Sequence, residues 1–142
     1  MAVDPTEVRV EVVGIFERQA ADAGEGEDHQ PVVVLRDGMG REIAVGIGSC
    51  EALAVHLALA QQMVSRPLTH DLVLRVLERL SGSISRVVIG DAPGEAHQAS
   101  LYLLSPQGEV RIAAQPGDAV ALALKGEAPI YATEAVLSGA GQ

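Results

Sequence analysis

The sequence predicts an α+β fold in which helices pack on a mixed, mostly antiparallel sheet. Short segments of alternating apolar and polar residues, bounded by Gly, Pro and Asp, are typical of strands joined by tight turns. Other segments carry apolar residues at helical spacing behind helix-capping residues. Three strands followed by a helix occur twice, which indicates two similar β-β-β-α halves. With 142 residues, the chain has the size of one domain, and we expect residues 1–142 to form it around a core at about 8–137.

The first half begins with three predicted strands, at residues 8–16, 31–35 and 41–47. Asp37-Gly38, with Gly40 after it, predicts the tight turn between the second and third strands. Residues 17–30 are rich in Gly, Ala and acidic side chains, and they lack the apolar surface needed to order themselves. We therefore expect a mobile, exposed loop at 17–30.

Two helices are predicted in the middle of the chain. The first begins at Gly48-Ser49 with Ser49 as the N-cap and reaches about residue 64. It is apolar on nearly every side, which predicts burial or an interface. The second begins at Thr69 and ends before Gly82. Its apolar stripe, which we expect to face the core, consists of Leu72, Val73, Val76, Leu77 and Leu80. Arg75, Glu78 and Arg79 form the expected solvent side.

The second half repeats this plan, with strands expected at 83–91, 99–104, 109–114 and 129–132. Pro116-Gly117-Asp118 precedes an alternation of Ala with Val and Leu at 119–124. The high helix propensity of Ala favours a helix there over a strand. Thr133 is expected to cap one last helical turn.

Composition restricts the partners that the protein can have. The net charge of −9 opposes binding to a polyanion, and Phe16, Tyr102 and Tyr131 are the only aromatic residues available for base stacking. The sequence contains no apolar run long enough to span a membrane. The single Cys50 fits the reducing cytoplasm. Because the helices are so apolar, we expect a homo-oligomer, most simply a dimer.

Three segments, at residues 31–52, 66–72 and 116–137, carry motifs that can be compared with known families. The most specific one is the middle segment, Arg-Pro-Leu-Thr-His-Asp-Leu. In order and spacing the three resemble the bifunctional nuclease domain family of bacteria and plants, which is named for reported RNase and DNase activity. The resemblance implies a hydrolase that cleaves RNA and DNA phosphodiesters, with a metal ion such as Mg²⁺ or Mn²⁺ assisting.

The chain departs from the family pattern at polar and aromatic positions. Residues 43–48 read Ile-Ala-Val-Gly-Ile-Gly, where the family usually has L-P-I-W-I-G. Residues 113–119 stand in place of D-A-R-P-S-D-A, so that Gln115 and Gly117 replace the Arg and the Ser, and Asp118 is kept. A lost guanidinium removes a bidentate phosphate contact. We therefore expect nuclease activity to be weak or absent.

The candidate catalytic residues are Glu51, His70, Asp71 and Asp118. Each lies at or near a predicted helix start, where free backbone N–H groups favour anions. Asp71 and Asp118 are the expected metal ligands, and Arg66 and Arg75 the expected phosphate-binding residues. Every one of these acids also has a purely structural explanation as a first-turn residue that stabilises its helix.

Three functions therefore remain open at this point. The domain is a metal-assisted nuclease, a non-catalytic binding or regulatory protein with the same fold, or an oligomeric accessory protein. Convergence of the four candidates in one cleft beside an arginine favours the nuclease, and dispersal favours the other two.

Overall fold

A computed structural model describes residues 6–19, 29–61, 69–91 and 97–139. Within these ranges the strands are β1 (Glu7–Gln19), β2 (His29–Asp37), β3 (Glu42–Gly46), β4 (Ser83–Asp91), β5 (His97–Ser105), β6 (Gly108–Ala114) and β7 (Ile130–Thr133). The helices are α1 (Ser49–Leu59), α2 (Thr69–Arg79), α3 (Pro116–Lys125) and α4 (Glu134–Gly139). The predicted α+β class is confirmed.

The seven strands form one mixed sheet in the order β3-β2-β1-β7-β4-β5-β6. Two antiparallel three-stranded halves flank β7, which is antiparallel to β1 and parallel to β4. A helix follows each half along the chain, α1 after β3 and α3 after β6. The two expected β-β-β-α halves are therefore present, and the last strand joins them.

The core lies between one face of the sheet and the helices. Alternate strand residues such as Leu35, Val45 and Ile89 are fully buried there, as the two-residue period of a strand requires. Helix α3 is the most deeply buried helix, and its residues 119–123 belong to the core cluster. Because its Ala residues are small, α3 can lie close to the sheet and to α1. The start of α3 is thus rigidly placed.

The predicted loop at 17–30 is wrong at both of its ends. β1 continues to Gln19 and β2 begins at His29, so that residues 17–19 pair with residues 29–31. The prediction failed because it was based on polar composition. Residues 17–19 and 29–31 are held together by backbone hydrogen bonds between the strands, which do not require buried side chains. Residues 20–28 lie outside the described ranges.

The start of α1 also differs from the prediction. Gly48 is the N-cap, in an extended conformation and without a side-chain cap hydrogen bond, and Ser49 is the first helical residue. The helix ends at Leu59 rather than near residue 64, and residues 62–64 lie outside the described ranges. The cap predicted at Thr133 is confirmed, since its Oγ1 accepts a hydrogen bond from the backbone N–H of Val136 at 3.3 Å.

The apolar stripe of α2 faces away from the core. Leu72, Val73, Val76 and Leu80 are exposed, Leu80 to 70%. The inward side of α2 is formed instead by His70, Leu74 and Leu77, and Leu74 packs against Gly126 after α3. The helical period was predicted correctly, but the face that the fold buries was not. None of the helices in the described part of the chain has the length and hydropathy to cross a membrane.

Candidate functional site

The first turns of α1 and α3 meet at Gly117. A Cβ at this position would lie 2.7 Å from Cβ of Glu51 and 3.0 Å from Cβ of Ile47, closer than packed side chains approach one another. Gly117 is therefore required by the contact between these helices, and the Ser that the family resemblance implies here does not fit this arrangement. The same contact brings the start of α1 beside Asp118, the next residue of α3.

Helix α2 enters this junction through its second residue, His70. Its Nε2 lies 2.8 Å from Oδ1 of Asp118. A carboxylate can only accept, so Nε2–H of His70 is the donor in this hydrogen bond. The His70 side chain is 11% exposed and that of Asp118 is 41% exposed. The imidazole therefore orients the carboxylate from the buried side, and Asp118 is the residue of the pair that solvent or a ligand can reach.

Glu51 lies at the same junction but has a different environment. Its carboxylate folds back over Cα of Gly48, the N-cap of α1, and its Cβ lies against Gly117. An acid in this position interacts favourably with the positive end of the helix dipole. Of the four catalytic candidates, the structure thus joins His70 and Asp118 by a hydrogen bond, and it places Glu51 against Gly117, the residue before Asp118.

Asp71 is directed elsewhere. Both of its carboxylate oxygens accept hydrogen bonds from Nζ of Lys125, at 3.1 and 3.3 Å. Lys125 ends α3, seven residues after Asp118, which corresponds to about 10 Å along the helix axis. The adjacent residues His70 and Asp71 therefore bind opposite ends of α3. This ion pair fixes how α2 crosses α3.

Of the two arginines expected to bind phosphate, the one that the structure describes, Arg75, is not at the junction. Arg75 lies on the outer side of α2, where it borders a shallow depression of about 260 Å³ with Glu78 and Arg79. Arg66 lies outside the described ranges. The contact between His70 and Asp118 is thus the part of the expected convergence that the structure shows, and Arg75 does not take part in it.

The donor set at the junction does not fit a preformed divalent cation site. Oδ1 of Asp118 already accepts a hydrogen bond from His70, and Asp71 forms an ion pair with Lys125. Across the ranges that the structure covers, no three His, Cys, Asp or Glu side chains are grouped so that they could hold a metal ion. Use of Mg²⁺ or Mn²⁺ stays a prediction, and the chemistry below is derived from the chain's own residues.

A second charged cluster, which the sequence did not suggest, joins the β2–β3 turn to α4. Nε of Arg41 donates a hydrogen bond to Oδ2 of Asp37 at 2.8 Å, and Nη2 of Arg41 donates one to Oε1 of Glu134 at 3.1 Å. Backbone N–H groups of Met39 and Arg41 also donate to Asp37 Oδ1. Arg41 and Glu134 are far apart in sequence, so no local pattern could have revealed the pair. Asp37 is almost fully buried, and the cluster is structural.

The geometry of the junction defines what it can do chemically. One oxygen of Asp118 is fixed by His70, and no hydrogen bond from a described residue reaches the other, which can accept a proton or a hydrogen bond. The first turns of α1 and α3 add backbone N–H groups that favour an anion such as a phosphate. Asp118 is thus an oriented, partly exposed carboxylate at the start of α3, with Glu51 as a second carboxylate at the start of α1.

Comparison with known proteins covers most of this chain. The family model described as the bifunctional nuclease domain matches residues 33–142. Two proteins of Mycobacterium tuberculosis strains, MT1877 and Rv1829, are each 39% identical to this chain over 135 residues, which cover 93% of this chain and 75% of the relative. Both carry the description "uncharacterized protein". The matched region contains α1, α2 and α3 and therefore the whole junction. This chain belongs to the bifunctional nuclease domain family.

Proposed function

We propose that this domain binds RNA or DNA at the junction of α1, α2 and α3 and cleaves the phosphodiester backbone weakly, through Asp118. The observation that carries the proposal is the 2.8 Å hydrogen bond between His70 and Asp118. A buried imidazole that orients a more exposed carboxylate is the arrangement that positions a general base. The family membership supplies the substrate class.

In the proposed reaction, the exposed oxygen of Asp118 accepts the proton of the attacking group, which is water or a ribose 2′-hydroxyl. The attacking oxygen forms a bond to phosphorus, the bond from phosphorus to the leaving oxygen breaks, and solvent protonates the leaving oxygen. Backbone N–H groups of the first helical turns stabilise charge on the phosphate. His70 is a positioning residue in this scheme.

Two features make the activity weak. The net charge of −9 lowers the rate at which a polyanion meets the site. Gln115, the N-cap residue of α3, stands where the family pattern has Arg, so the guanidinium that the family has at this position is missing. Losing one such contact typically lowers a rate by about 10²–10³-fold.

The test is cleavage of single-stranded RNA and DNA by the natural protein and by two matched variants, Asp118→Asn and Asp71→Asn. Each assay is run with EDTA, with Mg²⁺ and with Mn²⁺. We expect slow cleavage that Asp118→Asn abolishes and Asp71→Asn preserves, because Asp71 serves the ion pair with Lys125. Equal cleavage by the natural protein and Asp118→Asn would reject the assignment.

A non-catalytic binding or regulatory role is the alternative. Absence of cleavage under all three conditions, together with retained binding of labelled RNA in a fluorescence anisotropy titration, would favour it. The metal arms also test whether a divalent cation assists, which none of the contacts around Asp118 determines. A cytoplasmic location, expected from the single Cys50, likewise stays a prediction.

We also propose that the protein is a homo-oligomer, with a dimer favoured. The exposed apolar stripe of α2, formed by Leu72, Val73, Val76 and Leu80, supports this, since contiguous apolar surface usually marks an interface. Light scattering at micromolar concentration tests it. A species of 14.8 kDa would be a monomer and would contradict the proposal.

A further inference from the structure

Strand β6 has an open edge. It pairs with β5 from Gly108 to Ala114, and in the ranges that the structure describes no strand pairs with its other side. Six of its seven residues are exposed. An open edge exposes backbone N–H and C=O groups that another strand can bind, and proteins usually protect such edges.

On one face, the side chains of β6 do not protect the edge. On the face that the helices cover elsewhere, Val110 and Ile112 are 47% and 45% exposed. The other edge strand, β3, differs clearly, because its Ile43 and Val45 are buried in the core. Strand β6 thus offers both free backbone groups and uncovered apolar side chains.

The opposite face of β6 carries one acid and one base. Glu109 and Arg111 lie two residues apart and therefore on the same face of the sheet. Each is anchored within the chain, Arg111 by a 2.9 Å hydrogen bond from Nε to Ser100 Oγ and Glu109 by a 3.5 Å contact with Arg86. The remaining guanidinium N–H groups of Arg111 are not needed for the contact with Ser100.

We propose that two copies of this chain join through β6, paired antiparallel about a two-fold axis with Val110 opposite the partner's Val110. In a symmetric antiparallel pair, each side chain lies opposite a partner side chain on the same face of the sheet. The two-fold axis must therefore be centred on a residue and not between two residues. Each register predicts different cross-strand contacts, and charge distinguishes them. The proposal specifies how the proposed oligomer is built and does not depend on nuclease activity.

The register centred on Val110 places Glu109 opposite the partner's Arg111 and Arg111 opposite the partner's Glu109. Both contacts pair opposite charges, which stabilises a sheet. Centring on Arg111 would instead place two arginines opposite each other, which is destabilising. Centring on Ile112 would place Arg111 opposite the partner's Ala113, without charge pairing. Charge complementarity therefore selects Val110.

The exposed end of α2 lies at the same end of the sheet as this axis. Gly82, which separates α2 from β4, lies beside the backbone of Leu104. A Cβ added to Gly82 would be 3.2 Å from the carbonyl oxygen of Leu104. Leu104 pairs with Glu109, next to Val110. Leu80, two residues before Gly82, therefore lies near the end of the sheet at which β6 begins. Pairing of β6 would bring the α2 stripes of the two copies toward each other on the same face of the extended sheet.

The test uses two charge reversals, Glu109→Arg and Arg111→Glu. Alone, each variant places like charges opposite each other twice per dimer, and we expect the dimer dissociation constant to rise at least about tenfold. Mixed in equal amounts, the two variants restore both opposite-charge pairs in a heterodimer. Sedimentation velocity of each variant and of the mixture measures this, with one variant carrying a tag so that heterodimers are identified.

Glu127→Arg is the matched control, since it makes the same charge change at an exposed residue in the turn after α3. It should leave the dimer intact. Circular dichroism of each variant checks that the loss of the Arg86 contact has not unfolded it. A dimer unaffected by either reversal, or a mixture that fails to associate, would overturn the pairing through β6 and leave the oligomer itself standing. A monomeric natural protein would overturn both.

Discussion

Nε2 of His70 donates a hydrogen bond to Oδ1 of Asp118 at 2.8 Å, and this bond joins the first turn of α2 to the first turn of α3. If His70 positions Asp118, a side chain that donates from a similar place should replace it. We expect His70→Gln to keep cleavage within about tenfold and His70→Ala to lose it. His70→Ala should also lower the free energy of unfolding by about 1–3 kcal/mol, because it removes a buried donor.

Cleavage assays and urea unfolding of both variants check this prediction. The pH dependence of cleavage adds a measurement that a merely structural role would leave unchanged. Loss of activity in His70→Gln with stability retained would instead make the imidazole itself the proton acceptor.

A second prediction concerns the contact at Gly117. Gly117→Ala should reduce the free energy of unfolding by about 1–3 kcal/mol, because the new methyl group would overlap Glu51 and Ile47 in a tightly packed helix contact. Gly38→Ala is the control, since a Cβ there meets nothing within 4 Å. It should change stability by less than about 0.5 kcal/mol. Equal stability of the two variants in urea would show that α1 moves freely relative to α3.

The cluster around Arg41 makes a prediction about acid stability. Burial tends to raise the pKa of Asp37, but hydrogen bonds from the Arg41 side chain and from backbone N–H groups of Arg41 and Met39 outweigh it and hold the pKa below the usual 3.8. The Arg41 hydrogen bond, followed by that of Ser138, likewise lowers the pKa of Glu134 below 4.5. The unfolded chain therefore binds more protons than the folded chain at these two sites.

Stability from this cluster is consequently complete above about pH 4.5 and is lost as the pH falls through the lowered folded values. Asp37→Asn should be less stable than the natural protein at pH 7 and should lose less stability between pH 5 and pH 3. Thermal unfolding across this range measures both. Curves that fall in parallel would show that Asp37 does not contribute to the acid transition.

A fourth prediction restores the missing guanidinium. Gln115→Arg should strengthen binding to single-stranded RNA and make the plot of log K against log salt steeper by about 0.7, the value of one additional phosphate contact. Gln98→Arg, at an exposed position on β5, makes the same change away from the junction. We expect the control to have the smaller effect. Equal gains from the two variants would mean that only net charge had changed.

The sequence was sufficient to predict most of the fold, because local rules determine most of it. The turn at Asp37, the cap at Thr133 and the helix through Ala119–Ala123 all depend on neighbouring residues and were predicted correctly. The burial of α2 was not, because the direction of its apolar stripe depends on where α3 and the sheet lie. Sequence spacing alone cannot distinguish a stripe that faces the core from one that faces a partner.

The candidate site shows the same division. His70 and Asp71 were both selected because they lie at a helix start, and the local pattern gives them equal weight. Only the fold shows that His70 reaches Asp118 while Asp71 reaches Lys125, since these partners are 48 and 54 residues away. Gly117 is a similar case. From the sequence, the change from the family Ser to Gly indicates a lost functional hydroxyl, whereas the structure shows that Gly permits a close contact between α1 and α3.

The central position of β7 has a consequence for how the chain folds during translation. Among the described strands, β7 alone lies between β1 and β4, so we expect the sheet to stay divided until residues 130–133 leave the ribosome. Until then the nascent chain carries two separate three-stranded units, each with an inner edge awaiting a strand that has not yet been made. Such edges are prone to wrong pairing. Slow codons that lengthen the time before this segment has left the ribosome should therefore increase aggregation.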